Sequence, residues 1–190
     1  MKALEEKIVN EGSVLPGHIL KVGSFLNQRI DVDFMMQMGK EIAGLFADEK
    51  ITKVLTIEAS GIAFAFAIAA QLGVPMTFAK KHSSANVGKD IYSTVVHSYT
   101  HNKDYTIVIS KDYLSAGDRI LIADDFLACG NALNGLIALS EEAGAEVVGC
   151  AIAIEKGFQG GGDKLRARGV RVESLAIVDS MTDSEVTFRA

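Results

Sequence analysis

The sequence predicts an α/β fold with a mainly parallel central sheet flanked by helices, because one pattern occurs in it twice. The first occurrence is the β-branched run "ITKVLTIE", an apolar helix opened by Ser60 or Gly61, and the strand "MTFA" introduced by Pro75. The second is the buried strand "RILIADD", a helix from Asn131 to Ala143, and the strand "EVVGCAIAIE" ending at Lys156. Strand, helix, strand in succession needs a crossover, which makes the strands parallel and lays helices on the sheet. With 190 residues, 48% hydrophobic and 23% charged, the chain has the size and composition of one domain around one sizeable core. Residues 1–190 are therefore expected to form a single domain.

The remaining elements follow in chain order. The opening "MKALEEKIVNEG" is charged and helical in pattern and lacks the basic-then-apolar layout of a signal peptide. From Asp33 to Asp48, the residues Phe34, Met35, Met38, Ile42, Leu45 and Phe46 recur at helical spacing, with Asp33 placed to cap the start. The most apolar stretch, "IAFAFAIAAQLGVPMTFA", is interrupted by Gln71, Gly73 and Pro75 before reaching the roughly 20 residues that span a bilayer. It reads as a buried helix and a strand, with no membrane partner. Between the two β-α-β units a polar loop from Lys80 leads into two alternating runs that meet at "HNKD", the pattern of an antiparallel hairpin. After Lys156, "GFQGGGDK" makes a turn before a short helix and the strand "VRVESLAIV".

Composition excludes several classes of function. A net charge of -5 argues against broad nucleic-acid binding, which needs clustered Lys and Arg. Cys129 and Cys150 form neither a disulfide framework nor a zinc pattern, which suits reduced thiols in the cytoplasm. No GxGxxG follows a strand, and no GxxxxGK[ST] is present.

The chemistry concentrates in "ILIADDFLACGNA", residues 120 to 132. In parallel α/β sheets ligands bind beyond the carboxyl ends of the strands, and there the reading places Asp124 and Asp125. Two adjacent acceptor-only side chains suit a partner with two neighbouring donors, such as a ribose 2',3'-diol. "ACGNA" then presents backbone amides at a helix N-terminus, with Gly130 permitting close approach, which suits a phosphate. Taken alone, the adjacent aspartates also fit a capped strand end or a metal site. The ordered set of strand, carboxylate pair, small-residue loop and helix favours a ribose 5-phosphate.

That set resembles the phosphoribosyl pyrophosphate (PRPP) motif of type I phosphoribosyltransferases. The resemblance implies their fold: a mainly parallel sheet flanked by helices, a small hood from residues 1–32 plus the C-terminal segment, and a flexible hairpin loop. It implies that Asp124 and Asp125 act in catalysis by holding the ribose, while Ala128, Cys129, Gly130, Asn131 and Ala132 bind the 5'-phosphate. Cys129 departs from the family, which more often has Thr or Asn there; the backbone cradle is kept. "IEASGI" is similar to the loop that holds the pyrophosphate, through Ala59, Ser60 and Gly61, and "AKKH" to the basic start of the mobile loop, with Lys81 on the pyrophosphate. Mg²⁺ is expected to arrive with PRPP, a homodimer is implied, and the segment from His82 to Tyr99 is expected to close as a lid.

Over the whole chain, and above all in "ILKVGSFLNQRID", the pattern is similar to the bacterial xanthine phosphoribosyltransferases, which serve purine salvage. On that resemblance Leu20, Asn27 and Lys156 fall at base-binding positions. Lys156 offers donors and no acceptor, so it suits a purine with exocyclic oxygens better than one with an amino group. Phe158 is placed to stack on a planar base. Adenine phosphoribosyltransferases share the layout, and PRPP-sensing repressors share the motif, although no basic recognition helix precedes the first long helix here.

Overall fold

The computed structural model describes residues 1–81, 90–98, 103–182 and 185–189. The chain starts with α1 (Lys2–Glu11), a small hairpin of β1 (Ser13–Leu15) and β2 (Ile19–Lys21), and a π-helical turn at Gly23–Asn27. Then come α2 (Val32–Leu45), β3 (Lys53–Ile57), α3 (Gly61–Leu72) and β4 (Met76–Ala79), the first expected β-α-β unit. A second hairpin, β5 (Ile91–Ser98) and β6 (Lys103–Ser110), precedes the second unit: β7 (Arg119–Leu127), α4 (Asn131–Glu142) and β8 (Glu146–Lys156). The chain closes with α5 (Gly161–Ala167), β9 (Val172–Met181) and β10 (Val186–Phe188).

The central sheet has the order β10-β9-β8-β7-β3-β4 and is parallel except for the β9–β10 pair. β5 and β6 pair antiparallel in a separate ribbon, as the alternating runs foretold. Its tip, including His101 and Asn102 of "HNKD", and residues 82–89 of the anticipated lid lie outside the described residues. Among the described residues no helix is long and apolar enough to cross a membrane.

Side-chain alternation along β7 builds one core on each face of the sheet. Leu121 and Ala123 join α1, α2, α3 and the hood residues Leu20, Val22, Phe25 and Leu26. Ile120 and Ile122 join the ribbon, α4 and Leu165 of α5.

Three boundaries differ from the sequence reading. α2 is capped by Asp31, not Asp33, because the carboxylate must reach the amide three residues on; Asp31 accepts from Phe34 N at 3.1 Å. It ends at Leu45 rather than Asp48, where the chain tightens into a turn in which Ala47 N donates to Gly44 O. β7 continues to Leu127 because β8 remains available beside it, and β10 was not anticipated because its three residues carry too little alternation.

The packing of α2 on α3 depends on Gly39. An added Cβ there would stand 2.6 Å from the Ala67 carbonyl carbon and 2.7 Å from its oxygen. Gly39→Ala is expected to destabilise the fold by about 1–3 kcal/mol through overpacking. Urea denaturation checks this, and an unchanged midpoint would contradict the close crossing.

Candidate active site

The site opens where β7 loses one neighbour. β7 pairs with β3 as far as Ile122, opposite Leu55, but with β8 as far as Leu127, opposite Glu155. From Ala123 onward β7 has no β3 pairing, and after Ile57 the chain turns through Glu58–Ser60 into α3. Asp124 and Asp125 lie within the strand, not beyond its end as the sequence reading had it. The crevice comes from the departure of β3.

Both carboxylates are buried, at 6% and 4% exposed. Extended backbone sends adjacent side chains to opposite sides, and the two carboxylates have different surroundings. Asp125 faces the hood, accepting from Asn27 Nδ2 at 3.1 Å and from Ser60 Oγ at 2.8 Å. Asp124 Oδ1 accepts from the Asp125 amide at 3.0 Å. Burial first, and then the charge of Asp125, holds the Asp124 carboxyl well above the usual carboxylate range. On the ribbon side, burial followed by the charge of Asp124 raises the Tyr105 phenol. Gly61 leaves room for this arrangement: an added Cβ would collide with Thr56 Oγ1 and stand 2.6 Å from Asp124 Oδ1.

β7 then runs into Ala128–Gly130, and Gly130 adopts φ 89°, a left-handed conformation open to glycine, at the N-cap of α4. The first amides of the 12-residue helix α4 lack intrahelical acceptors and are available to an anion. Asn134 ties the turn down, its side-chain amide donating to Gly130 O at 2.9 Å.

A cleft of about 620 Å³ runs along this loop. All five residues from Ala128 to Ala132 line it, together with Phe126, Lys156, Gln159 and the hood tip Gly17–Ile19. Lys156 Nζ lies 5.8 Å from the Phe126 ring centre and donates to His18 O at 3.1 Å, and burial lowers its pKa. Phe158 meets the His18 ring at 5.6 Å between centres. Of the two cysteines only Cys129 reaches the cleft; burial pushes the Cys150 thiol up to about 12.

The structure thus brings Lys156 to the phosphate-loop candidates. Leu20 is 7% exposed and packs in the core below the hood, and Asn27 is engaged with Asp125. Ala59, Ser60 and Gly61 form the turn into α3, and only Ser60 bonds a carboxylate. Lys81 is exposed; its amide donates to Glu58 Oε1 at 2.7 Å, and its ammonium lies 5.6 Å from the Tyr105 ring centre. Sequence reasoning missed Phe126, His18, His97, Tyr105 and Gln159 as cleft residues. Phe126 alone carried a signal, an aromatic directly after the carboxylate pair.

The arrangement offers an anion cradle, a buried carboxylate pair directly before the cleft residue Phe126, and a cation near an aromatic ring. Comparison with known proteins bears on the family and the fold. The family model described as "Phosphoribosyl transferase domain" matches residues 30–181. A Clostridium perfringens protein named xanthine phosphoribosyltransferase 1 is 53% identical across the full length of both chains. A Bifidobacterium longum protein named xanthine phosphoribosyltransferase is 54% identical over the same extent. Among solved structures, adenine phosphoribosyltransferase from Rhodothermus marinus has a TM-score of 0.75 at 24% identity, covering 94% of this chain and 100% of that one. The adenine enzyme of Giardia lamblia, complexed with 9-deazaadenine, has a TM-score of 0.71 at 26% identity over 80% and 82% of the chains.

Asp124→Asn keeps an acceptor for the Asp125 amide and removes a buried charge. The folded pKa of Asp124 lies above the unfolded 3.8, so the wild-type chain loses stability as pH rises from there through the folded value. The variant is therefore expected to melt about 2–4 °C higher at neutral pH, an advantage that vanishes near pH 3. Calorimetry across pH checks it, and an equal or lower melting temperature at pH 7 would contradict the burial cost.

Proposed function

The chain belongs to the phosphoribosyl transferase family, and on that premise we propose that it transfers the 5-phosphoribosyl group of PRPP to N9 of xanthine, giving xanthosine 5'-monophosphate and pyrophosphate in purine salvage. One observation carries the choice of base. Relatives more than half identical over the whole length are named for xanthine, and this chain sets Lys156 in the same cleft as the loop 128–132. Lysine donates and cannot accept, so it matches a purine oxygen and leaves the amino group of adenine unserved.

In this reading Ala128–Ala132 hold the 5'-phosphate on the free amides of α4, and Asp124 and Asp125 hold the ribose hydroxyls. A diol donating to these carboxylates would offset part of their burial cost. Ala59, Ser60 and Gly61, with Lys81, serve the pyrophosphate. Asn27, through Asp125, ties the ribose site to the hood, and Leu20 shapes the base site from below.

The transition state resembles a ribosyl oxocarbenium ion with charge growing on the leaving group, so positioning and electrostatic stabilisation do the chemistry. Mg²⁺ fits as a passenger on the pyrophosphate. Among the described residues no group of three or more His, Cys, Asp or Glu forms a cage for it, and Mg²⁺ commonly binds through substrate phosphates plus a carboxylate or two. Bound there, the ion would neutralise charge on the pyrophosphate.

The same proposal includes one domain, a cytoplasmic location consistent with two free cysteines, and a homodimer. The dimer is supported by Phe78 and Tyr113, both exposed, which line one groove along the edge strand β4. Light scattering tests it, and a monomer at micromolar concentration would remove it.

The reaction is tested by competition. PRPP and Mg²⁺ are supplied with xanthine, guanine, hypoxanthine and adenine together, and the nucleotides are identified by mass. Xanthosine monophosphate is expected to dominate; adenosine monophosphate would overturn the base assignment. Lys156→Ala is expected to raise the KM for xanthine about 10- to 100-fold, the worth of one charged hydrogen bond, while the PRPP KM stays within about threefold. Equal losses for both substrates would contradict the role of Lys156.

A further inference from the structure

Beside the cleft lies a second buried carboxylate site that the proposed reaction does not use. Glu155 is 0% exposed, one residue before Lys156 on β8. Arg166 of α5 forks onto it, with Nη1 on Oε1 at 2.9 Å and Nη2 on Oε2 at 2.7 Å, and Ser174 Oγ also donates to Oε2. The same guanidinium bonds Val172 O at 3.2 and 3.3 Å, tying α5 to β9.

Stability alone is a poor reason for such a pair, since apolar residues of similar volume generally fill the space at no loss. Its distinguishing property is a fixed, two-pronged geometry. What that geometry fixes is visible in the glycines of α5. Gly162 sits on the ion pair so closely that an added Cβ would collide with Glu155 Oε1. Gly161 presses on the back of the phosphate loop: its added Cβ would collide with Ala128 O and stand 2.7 Å from both Cys129 C and Gly130 N. A second tie runs from Arg168 Nη1 to Asn134 Oδ1 at 2.6 Å, and from the Asn134 side chain to Gly130 O at 2.9 Å.

We propose that Arg166, through its fork on Glu155, is a positioning residue for phosphate binding: it clamps α5 to β8 so that Gly161 backs the loop 128–132 at the distance its amides need. Arg168 and Asn134 hold the same loop from the α4 side. The inference rests on the loop's proposed role as the 5'-phosphate site. Hydrogen bonds to an anion tolerate displacements of only about 0.5 Å, so a small movement of α5 is felt at the loop. The pyrophosphate turn at Ala59–Gly61 belongs to a different crossover, β3 to α3, and does not depend on the clamp.

The test compares ligands for the two ends of PRPP. Calorimetric affinities for ribose 5-phosphate and for pyrophosphate with Mg²⁺ are measured on wild type, Arg166→Lys and Arg168→Ala. Lysine keeps the charge and loses the fork, so Arg166→Lys is expected to bind ribose 5-phosphate about tenfold more weakly, equivalent to about 1.4 kcal/mol, with pyrophosphate affinity within twofold. Arg168 is exposed, and Arg168→Ala, which leaves the buried pair intact, is expected to lose about threefold for ribose 5-phosphate alone. Unchanged ribose 5-phosphate affinity in Arg166→Lys, or equal losses for the two ligands, overturns the clamp. Failure of the wild-type chain itself to bind ribose 5-phosphate overturns the phosphate-loop reading, and the clamp falls with it.

Discussion

One topological fact governs the site: β7 keeps its β8 neighbour for about five residues after it has lost β3. A parallel sheet buries its strands on both faces, so a strand flank without a neighbour is the natural place for polar side chains in an otherwise apolar layer. Asp124 and Asp125 occupy that flank.

Even in the crevice the carboxylates are costly, and the neighbouring elements are arranged around that cost. Asp125 is held by Asn27 from the hood and Ser60 from the cap of α3, so elements far apart in sequence meet on one carboxylate. Asp124 accepts from the Asp125 amide, and burial, followed by the charge of Asp125, raises its carboxyl above the usual range. A site built this way trades stability for the ability to grip a ligand that supplies the missing donors. Lys156 is the complementary case, half-buried against Phe126 with its ammonium on a backbone carbonyl of the hood tip. The hood is therefore attached to the sheet at two points, Asn27 on Asp125 and His18 on Lys156.

α5 extends the same logic behind the loop. Its glycines permit contact between backbones, and its arginines fix where that contact falls. Cradles made of backbone amides have no side chains of their own to set their shape, so the supporting layer must do it.

By itself the sequence determined the two β-α-β units, the hairpin, the carboxylate pair and the loop at the start of α4. These are local: apolar period, cap and turn chemistry, and the order of residues in one strand-loop-helix segment are all readable along the chain. It also marked Lys156 at a strand end. Only the tertiary structure decided that the aspartates lie inside β7 rather than past it, that Asn27 spends its amide on Asp125, that Phe126 and His18 frame Lys156, and that Arg166 clamps α5 behind the loop. Each of these joins residues many positions apart. Such contacts depend on where neighbouring strands stop and how helices pack across them, and periodicity within a single segment carries no record of either.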